Sequence, residues 1–152
     1  MHEWLASWID RDTEPREDLD GLPGVLWHLS DAWRRRSEPN VVLVHYDDLS
    51  ADIEGEMRRL AHQLDITVPD RRWPELVAAA GFQAMRERAQ QLLQDPFGVL
   101  KDRRAFFRHG RSGAARDLLT DEQLSRYHAR AAQLAPDDLL TWLHRNDAHS
   151  AP

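Results

Sequence analysis

The chain has 152 residues, of which 41% are hydrophobic and 30% are charged, and its formal net charge at pH 7 is −6. This length can bury one core, and the surplus of negative charge argues against a general nucleic-acid binder, whose surface must attract phosphates. The chain has no cysteine, no apolar run long enough to span a membrane and no signal-peptide pattern at its acidic N-terminus, so we expect a cytoplasmic protein without disulfides or thiolate metal sites.

The first third of the chain predicts two helices followed by a strand. Apolar residues recur at helical spacing over residues 4–10 and again over residues 22–36. The β-branched and apolar run at residues 41–44 follows a turn and predicts a strand buried on both faces. One strand cannot form a sheet, so its unpaired edges must pair with other segments or with another chain.

The rest of the chain predicts further helices around one irregular stretch that begins at Pro96. Ser50 is predicted as an N-cap, Thr120 and Gln123 as a capping box, and Pro136 as the start of the last helix. The helical patterns cover residues 53–64, 73–80, 82–93, 124–134 and 139–143.

Basic residues are concentrated in one segment. Residues 100–116 carry six basic side chains and one acidic, whereas residues 1–20 carry two basic and seven acidic. Within this basic segment, the sequence RHGRSGAAR starts at Arg108. Its two glycines let successive amides turn toward one anion, and Arg108 and Arg111 add planar guanidinium donors. The pattern predicts an anion site; the alternative is a solvated surface turn. Lys101, the only lysine, follows no glycine-rich turn, so the chain has no Walker-type loop.

Several short motifs also occur in an order typical of one enzyme family. They are YDDL at residues 46–49, GEMRR at 55–59, FQAM at 82–85, FFRHGRSG at 106–113, and LTDEQ at 119–123 followed by Tyr127. Together they resemble the C-terminal part of the cytosolic-type sulfotransferases, which transfer a sulfuryl group from 3′-phosphoadenosine 5′-phosphosulfate (PAPS). The resemblance is best over residues 40–145 and looser over residues 1–39.

The resemblance implies an α/β fold class, as the C-terminal part of a P-loop-type, three-layer α/β fold. This chain would be mostly α-helical with one or two short strands. It would form a single partial domain over residues 1–152, with a helical lead-in at 1–39 and a polar tail at 146–152.

The resemblance also implies roles for six residues. Tyr46 and Phe82 match positions that pack around the adenine; from the residues alone they are a strand-end aromatic and an ordinary core residue. The positions that match the segment holding the 3′-phosphate of PAPS, or of its product adenosine 3′,5′-bisphosphate (PAP), are Arg108, His109 and Gly110, followed by Arg111. His109 stands where the family has a lysine.

The family's lysine-bearing loop for the 5′-phosphosulfate and its catalytic histidine have no counterpart in the chain. Sulfuryl transfer needs a base at the acceptor hydroxyl and positive groups at the leaving group, so we assign no catalytic residue. We expect part of a PAPS site that works with a second polypeptide or in a homo-oligomer, or that is completed by sequence upstream. The alternative is a non-catalytic helical module for interaction or oligomerisation.

Histidines give little support for a metal site. No His-Glu-x-x-His sequence occurs. His45 lies beside Asp47 and Asp48, a pattern compatible with a metal ligand or a base. The alternative is an ordinary residue at the end of the predicted strand. We therefore expect no bound metal.

Overall fold

The computed structural model describes residues 2–88, 112, 113 and 116–145. Its helices are α1 (His2–Asp10), α2 (Leu22–Arg34), α3 (Tyr46–Ala51), α4 (Ile53–Gln63), α5 (Trp73–Ala80), α6 (Phe82–Glu87), α7 (Asp121–Leu134) and α8 (Asp137–Leu143). A 3-10 turn, Asp70–Arg72, precedes α5. The predicted, mostly helical character is confirmed for this part of the chain.

Residues 41–44, predicted to be a strand, have no regular secondary structure. Their side chains are half-buried, and the amide of Val41 donates to the carbonyl of Glu38 at 3.0 Å in a turn. A strand is held by hydrogen bonds to a neighbouring strand, and the described residues contain none that could pair with this segment. Within those residues, the prediction of one or two short strands is therefore wrong.

The chain divides into two compact units. Unit 1 comprises Met1–Leu43 with Gly113–Pro152, and unit 2 comprises Val44–Ser112. In the described residues, unit 1 contains α1, α2, α7 and α8, and unit 2 contains α3 to α6. The single domain over residues 1–152 stays a prediction.

The core of unit 1 lies where α2 packs against α7. Leu22 and Leu26 on α2 are each 1% exposed, and Ala131 on α7 is fully buried. Further apolar side chains pack around them: Trp8, Leu29, Tyr127, Leu134, Ala135, Leu140 and Leu143. The helical spacing of apolar residues in the sequence therefore marks the faces that are buried here.

Capping side chains begin α4 and α7, in α7 at the residue that the sequence predicted. α7 begins at the predicted capping box: the Thr120 hydroxyl accepts from the Gln123 amide at 3.2 Å, and the Gln123 side chain accepts from the Thr120 amide at 3.0 Å. The N-cap at Ser50 is wrong, because Ser50 lies within α3. Asp52 caps α4 instead, with its carboxylate accepting from the Gly55 amide at 2.8 Å.

An aromatic and charged cluster joins the end of α2 to α8. The indole of Trp33 donates to the Asp138 carboxylate at 2.8 Å, and its ring lies 5.4 Å from that of Trp142. The guanidinium of Arg36 lies 4.4 Å from the Trp33 ring and 3.4 Å from Asp138. The hydrogen bond from Trp33 lowers the pKa of Asp138; it outweighs burial, which raises that pKa, and the charge of Arg36 lowers it further.

We expect Asp138→Asn to lower the thermal unfolding midpoint at pH 7 but not in strong acid. The pKa of Asp138 is lower in the folded chain than its ordinary value of 3.8, so ionisation stabilises the folded state above that pH. The contribution is lost as the pH falls through the folded-state pKa, where wild type and variant should converge. Asp137→Asn, the neighbouring acidic position in the first turn of α8, controls for the helix dipole. A difference that is equal at both pH values would contradict the assignment.

No helix in the part of the chain that the structure describes is both long enough and apolar enough to cross a membrane.

Candidate functional site

Tyr46, one of the two predicted adenine contacts, is the first residue of α3 and lies in unit 2. Its side chain is 47% exposed. The Tyr46 ring therefore does not cover a core, as an aromatic residue at the end of a strand would. An accessible phenol ring at a helix start can stack against a planar base, since base-aromatic stacking needs one open ring face.

The conformation of His45 determines where α3 begins. This residue has extended backbone angles (φ −88°, ψ 135°), and its ring Nδ1 accepts a hydrogen bond from the Asp47 amide at 3.1 Å. The His45 side chain is 8% exposed, and Asp47 and Asp48 place negative charge at the positive end of the helix. His45 is thus the N-cap of α3, a role not predicted because serine, threonine, aspartate and asparagine are the usual N-caps.

The two arginines of the GEMRR motif lie on α4 and already donate to carboxylates. Arg58 donates to Glu54 at 2.9 Å and to Asp70 at 3.0 Å, and its guanidinium lies 4.6 Å from the ring of the buried Trp73. These hydrogen bonds, with that to Asp70 the larger influence, raise the pKa of Arg58. Arg58 therefore links α4 to the start of α5.

Arg59 is engaged in the same way on the next position of α4. It donates to both carboxylate oxygens of Glu56, at 2.7 Å and 3.1 Å, and hydrogen bonding to Glu56 raises the pKa of Arg59. Asp48 on α3 attracts the same guanidinium. The two arginines of the motif therefore form ion pairs within unit 2.

Phe82, the second predicted adenine contact, is the first residue of α6 and is half-buried. Gly81, with φ −63° and ψ 144°, ends α5 and begins α6. The structure thus places Tyr46 and Phe82 in one unit, each at the first residue of a helix. In that unit α3 contacts α4, α4 contacts α5, and α5 contacts α6.

The predicted phosphate-binding residues, Arg108, His109, Gly110 and Arg111, lie outside the residues that the structure describes. Two residues that follow them are described. Gly113 has φ 77°, the left-handed conformation that glycine adopts readily, and its carbonyl accepts from the Arg116 amide at 3.0 Å. One of the two glycines of the RHGRSGAAR sequence thus forms a turn.

Metal-ligating side chains do not cluster in the described parts of the chain. No group of three or more histidine, cysteine, aspartate or glutamate residues there could hold a metal ion. Within these residues, the Nδ1 of His45 is occupied as a hydrogen-bond acceptor for a backbone amide.

Comparison with known proteins matches the chain to one family and to several relatives. The family model of the sulfotransferase domain matches residues 14–137. The chain is 40% identical over 151 residues to a glycolipid sulfotransferase of Mycobacterium bovis (strain BCG / Pasteur 1173P2), covering 93% of this chain and 46% of that protein. The same values hold for a glycolipid sulfotransferase of Mycobacterium tuberculosis (strain ATCC 25177 / H37Ra).

A more distant relative is a luciferin sulfotransferase of Photinus pyralis, 23% identical in an alignment of length 111 that covers 68% of this chain and 30% of that protein. No solved structure matches the chain significantly. The chain spans a little less than half the length of the mycobacterial relatives. The sulfotransferase domain model covers most of the chain, and the chain therefore belongs to the sulfotransferase family.

Proposed function

We propose that this chain provides the adenine and 3′-phosphate part of the PAPS site of a sulfotransferase. The observation that carries the proposal is the family match over residues 14–137, a range that spans Tyr46, Phe82 and the positions Arg108 to Arg111. The exposed ring of Tyr46 fits this role, because it is open to a planar base.

In the reaction, an acceptor oxygen or nitrogen forms a bond to the sulfur of PAPS. The bond from sulfur to the phosphate oxygen breaks, PAP leaves, and a base takes the acceptor proton. The residues of this chain bind and orient the nucleotide: aromatic rings hold the adenine, and the guanidinium groups of Arg108 and Arg111 hold the 3′-phosphate. His109 adds a donor whose charge depends on pH.

A complete sulfotransferase site also needs groups that bind the 5′-phosphosulfate and take the acceptor proton. The aligned region is 46% of the mycobacterial relatives, and the lysine-bearing loop and the catalytic histidine are not identified in this chain. We propose that a second polypeptide or an additional segment supplies them. A cytoplasmic location is part of the same proposal.

For the acceptor, we propose a hydroxyl group of a glycolipid. The two mycobacterial relatives, each 40% identical to this chain, are named glycolipid sulfotransferases. The broader acceptor class is a hydroxyl or an amine, either of which can attack the sulfuryl group once a base removes its proton.

Calorimetric titration with PAP tests the proposed nucleotide site. We expect Arg108→Ala to weaken PAP binding by about 1.5–3 kcal/mol, the usual effect of losing a hydrogen bond to a charged group. The matched control is Arg71→Ala, which removes the same charge at an exposed position in the 3-10 turn and should leave the affinity unchanged. Absence of PAP binding, or equal losses in both variants, would refute the proposal.

The alternative of an interaction or oligomerisation module also has an observation in its favour. Large apolar side chains are more than half exposed at Trp4, Leu19, Leu64 and Ile66. Exposed apolar side chains are often covered by a partner where they form a contiguous patch. A chain that binds no PAP but self-associates would support this alternative over the proposed nucleotide site.

A further inference from the structure

The buried N-cap His45 directly precedes Tyr46, the residue proposed to stack on adenine. The His45 side chain is 8% exposed, and its Nδ1 accepts from the Asp47 amide at 3.1 Å. This bond fixes the first turn of α3, and Tyr46 is the first residue of that turn. The direction of the Tyr46 ring therefore depends on the cap that His45 provides.

The cap requires one protonation state of the imidazole. Nδ1 can accept a hydrogen bond only when it carries no proton, so the capping ring is neutral with its proton on Nε2. When the ring is protonated, both nitrogens are donors, and Nδ1–H then faces the amide N–H of Asp47. Protonation of Nδ1 therefore removes the cap.

We propose that His45 is a positioning residue of the adenine site: its neutral form orients Tyr46 through the N-cap of α3, and its protonation weakens nucleotide binding. The inference rests on the proposed adenine-binding role of Tyr46. Nothing in the sulfotransferase match assigns a role to His45.

The charged groups around His45 favour release of the cap on protonation. The Asp47 carboxylate lies 3.7 Å from Nδ1 and can accept from the protonated ring. That ion pair would replace the bond to the Asp47 backbone with one to its side chain, so the charge is compensated while the cap is lost. Other titratable or charged groups lie on α3, on α4, which packs against it, or directly before α4. They are Asp48, Asp52, Glu54, Glu56, Arg58, Arg59 and His62.

Several of these groups already have partners within unit 2. Arg58 donates to Glu54, and Arg59 donates to Glu56 and is attracted to Asp48. Asp52 caps α4. Asp47 is the carboxylate that lies 3.7 Å from Nδ1, and it can accept from that nitrogen when it is protonated.

Two substitutions separate the capping role from the titration. His45→Asn keeps a side-chain acceptor, because asparagine is among the strongest N-caps, but it does not titrate. His45→Ala has no acceptor at any pH. Calorimetric titration of the full chain with PAP at about pH 8 and about pH 5.5 gives the affinity of each protein before and after acidification.

On acidification, we expect wild type to lose about three- to tenfold more PAP affinity than His45→Asn, the scale of losing one N-cap. His45→Ala should bind more weakly than His45→Asn at the higher pH and lose no more than His45→Asn on acidification. Titration of His109 and of the PAP phosphates is common to all three proteins and cancels in this comparison. Equal acid losses in wild type and His45→Asn would overturn the inference, as would His45→Ala binding like wild type at the higher pH.

A second measurement does not depend on the nucleotide. The hydrogen-exchange protection factor of the Asp47 amide should fall at the lower pH in wild type and remain in His45→Asn. Unchanged protection in wild type would overturn the capping step even if PAP binds. If the protection of the Asp47 amide changes with pH as expected but PAP binds at no pH, the proposed function is refuted. The role of His45 in positioning the adenine is then refuted with it.

Discussion

Leu26→Ala is expected to destabilise unit 1 by about 2–5 kcal/mol, the usual range for removing a fully buried leucine side chain. Leu26 is 1% exposed and lies in one cluster with Leu22 and Ala131, where α2 meets α7. Truncation removes apolar contacts and leaves a cavity that rigid neighbours fill only in part. Since Trp8 and Tyr127 pack against the same cluster, tryptophan fluorescence during urea unfolding measures the loss.

Leu19→Ala is the matched control, because it makes the same chemical change in the same unit at a side chain that is 56% exposed. Substitutions at such positions usually change stability by about 0.5 kcal/mol or less. If the two variants unfold at the same urea concentration, the cluster around Leu26 is not the core of unit 1.

Apart from α3, the helices of the described residues could be predicted because their signals are local. Apolar residues recur at helical spacing over residues 22–34, and the same face is buried in α2. The capping box at Thr120 and Gln123 depends on residues three apart, so it is readable without any tertiary structure. Pro136, with extended backbone angles, likewise precedes α8 as predicted.

The absence of a strand at residues 41–44 and the start of α4 could not be predicted, since each depends on more than its own segment. The run at residues 41–44 has the composition of a buried strand, but a strand forms only with a hydrogen-bonded neighbour. At the start of α4, Ser50 and Asp52 are both good N-caps. The choice of Asp52 follows from α3, which extends through Ser50 because His45 caps it further upstream.

The candidate site was predictable only to the level of motifs. The motif order identified Tyr46 as an adenine contact at the end of a predicted strand, whereas the structure places it at the first residue of α3 with its side chain 47% exposed. No pattern predicted the contribution of His45, since its role comes from backbone geometry two residues away. The functions of Arg108 and Arg111 still rest on the sulfotransferase match, which spans them.

Gly24→Ala is expected to destabilise the chain by about 3 kcal/mol, at the upper end of the usual effect of overpacking. A Cβ at Gly24 would lie 2.1 Å from the carbonyl oxygen of Asp18 and 2.7 Å from the Cα of Leu19. Both are backbone atoms, so no side-chain rotation can relieve the contact. The loop before α2 would have to move away from the helix.

That loop is held by several hydrogen bonds, which such a movement would disturb. The Asp18 carboxylate accepts from the Gly21 amide at 3.1 Å and from the Thr13 hydroxyl at 3.3 Å. The Trp8 indole donates to the Asp20 carbonyl at 2.6 Å. Burial raises the pKa of Asp18, but its hydrogen bonds from Arg11, Thr13 and Gly21 outweigh that effect and lower it, as expected for a carboxylate that organises a loop.

Gly55→Ala provides a matched comparison, because Gly24 and Gly55 each occupy the third position of their helix. A Cβ at Gly55 would lie 2.1 Å from an oxygen of the Asp52 side chain, which can rotate away at the cost of the cap, about 1 kcal/mol. Hydrogen exchange followed by peptide analysis reads the two units separately. Protection in unit 1 should fall well below wild type in Gly24→Ala, whereas Gly55→Ala should show only a small loss in unit 2. Equal effects would mean that the loop gives way as easily as a side chain, and that Gly24 is not needed for its approach to α2.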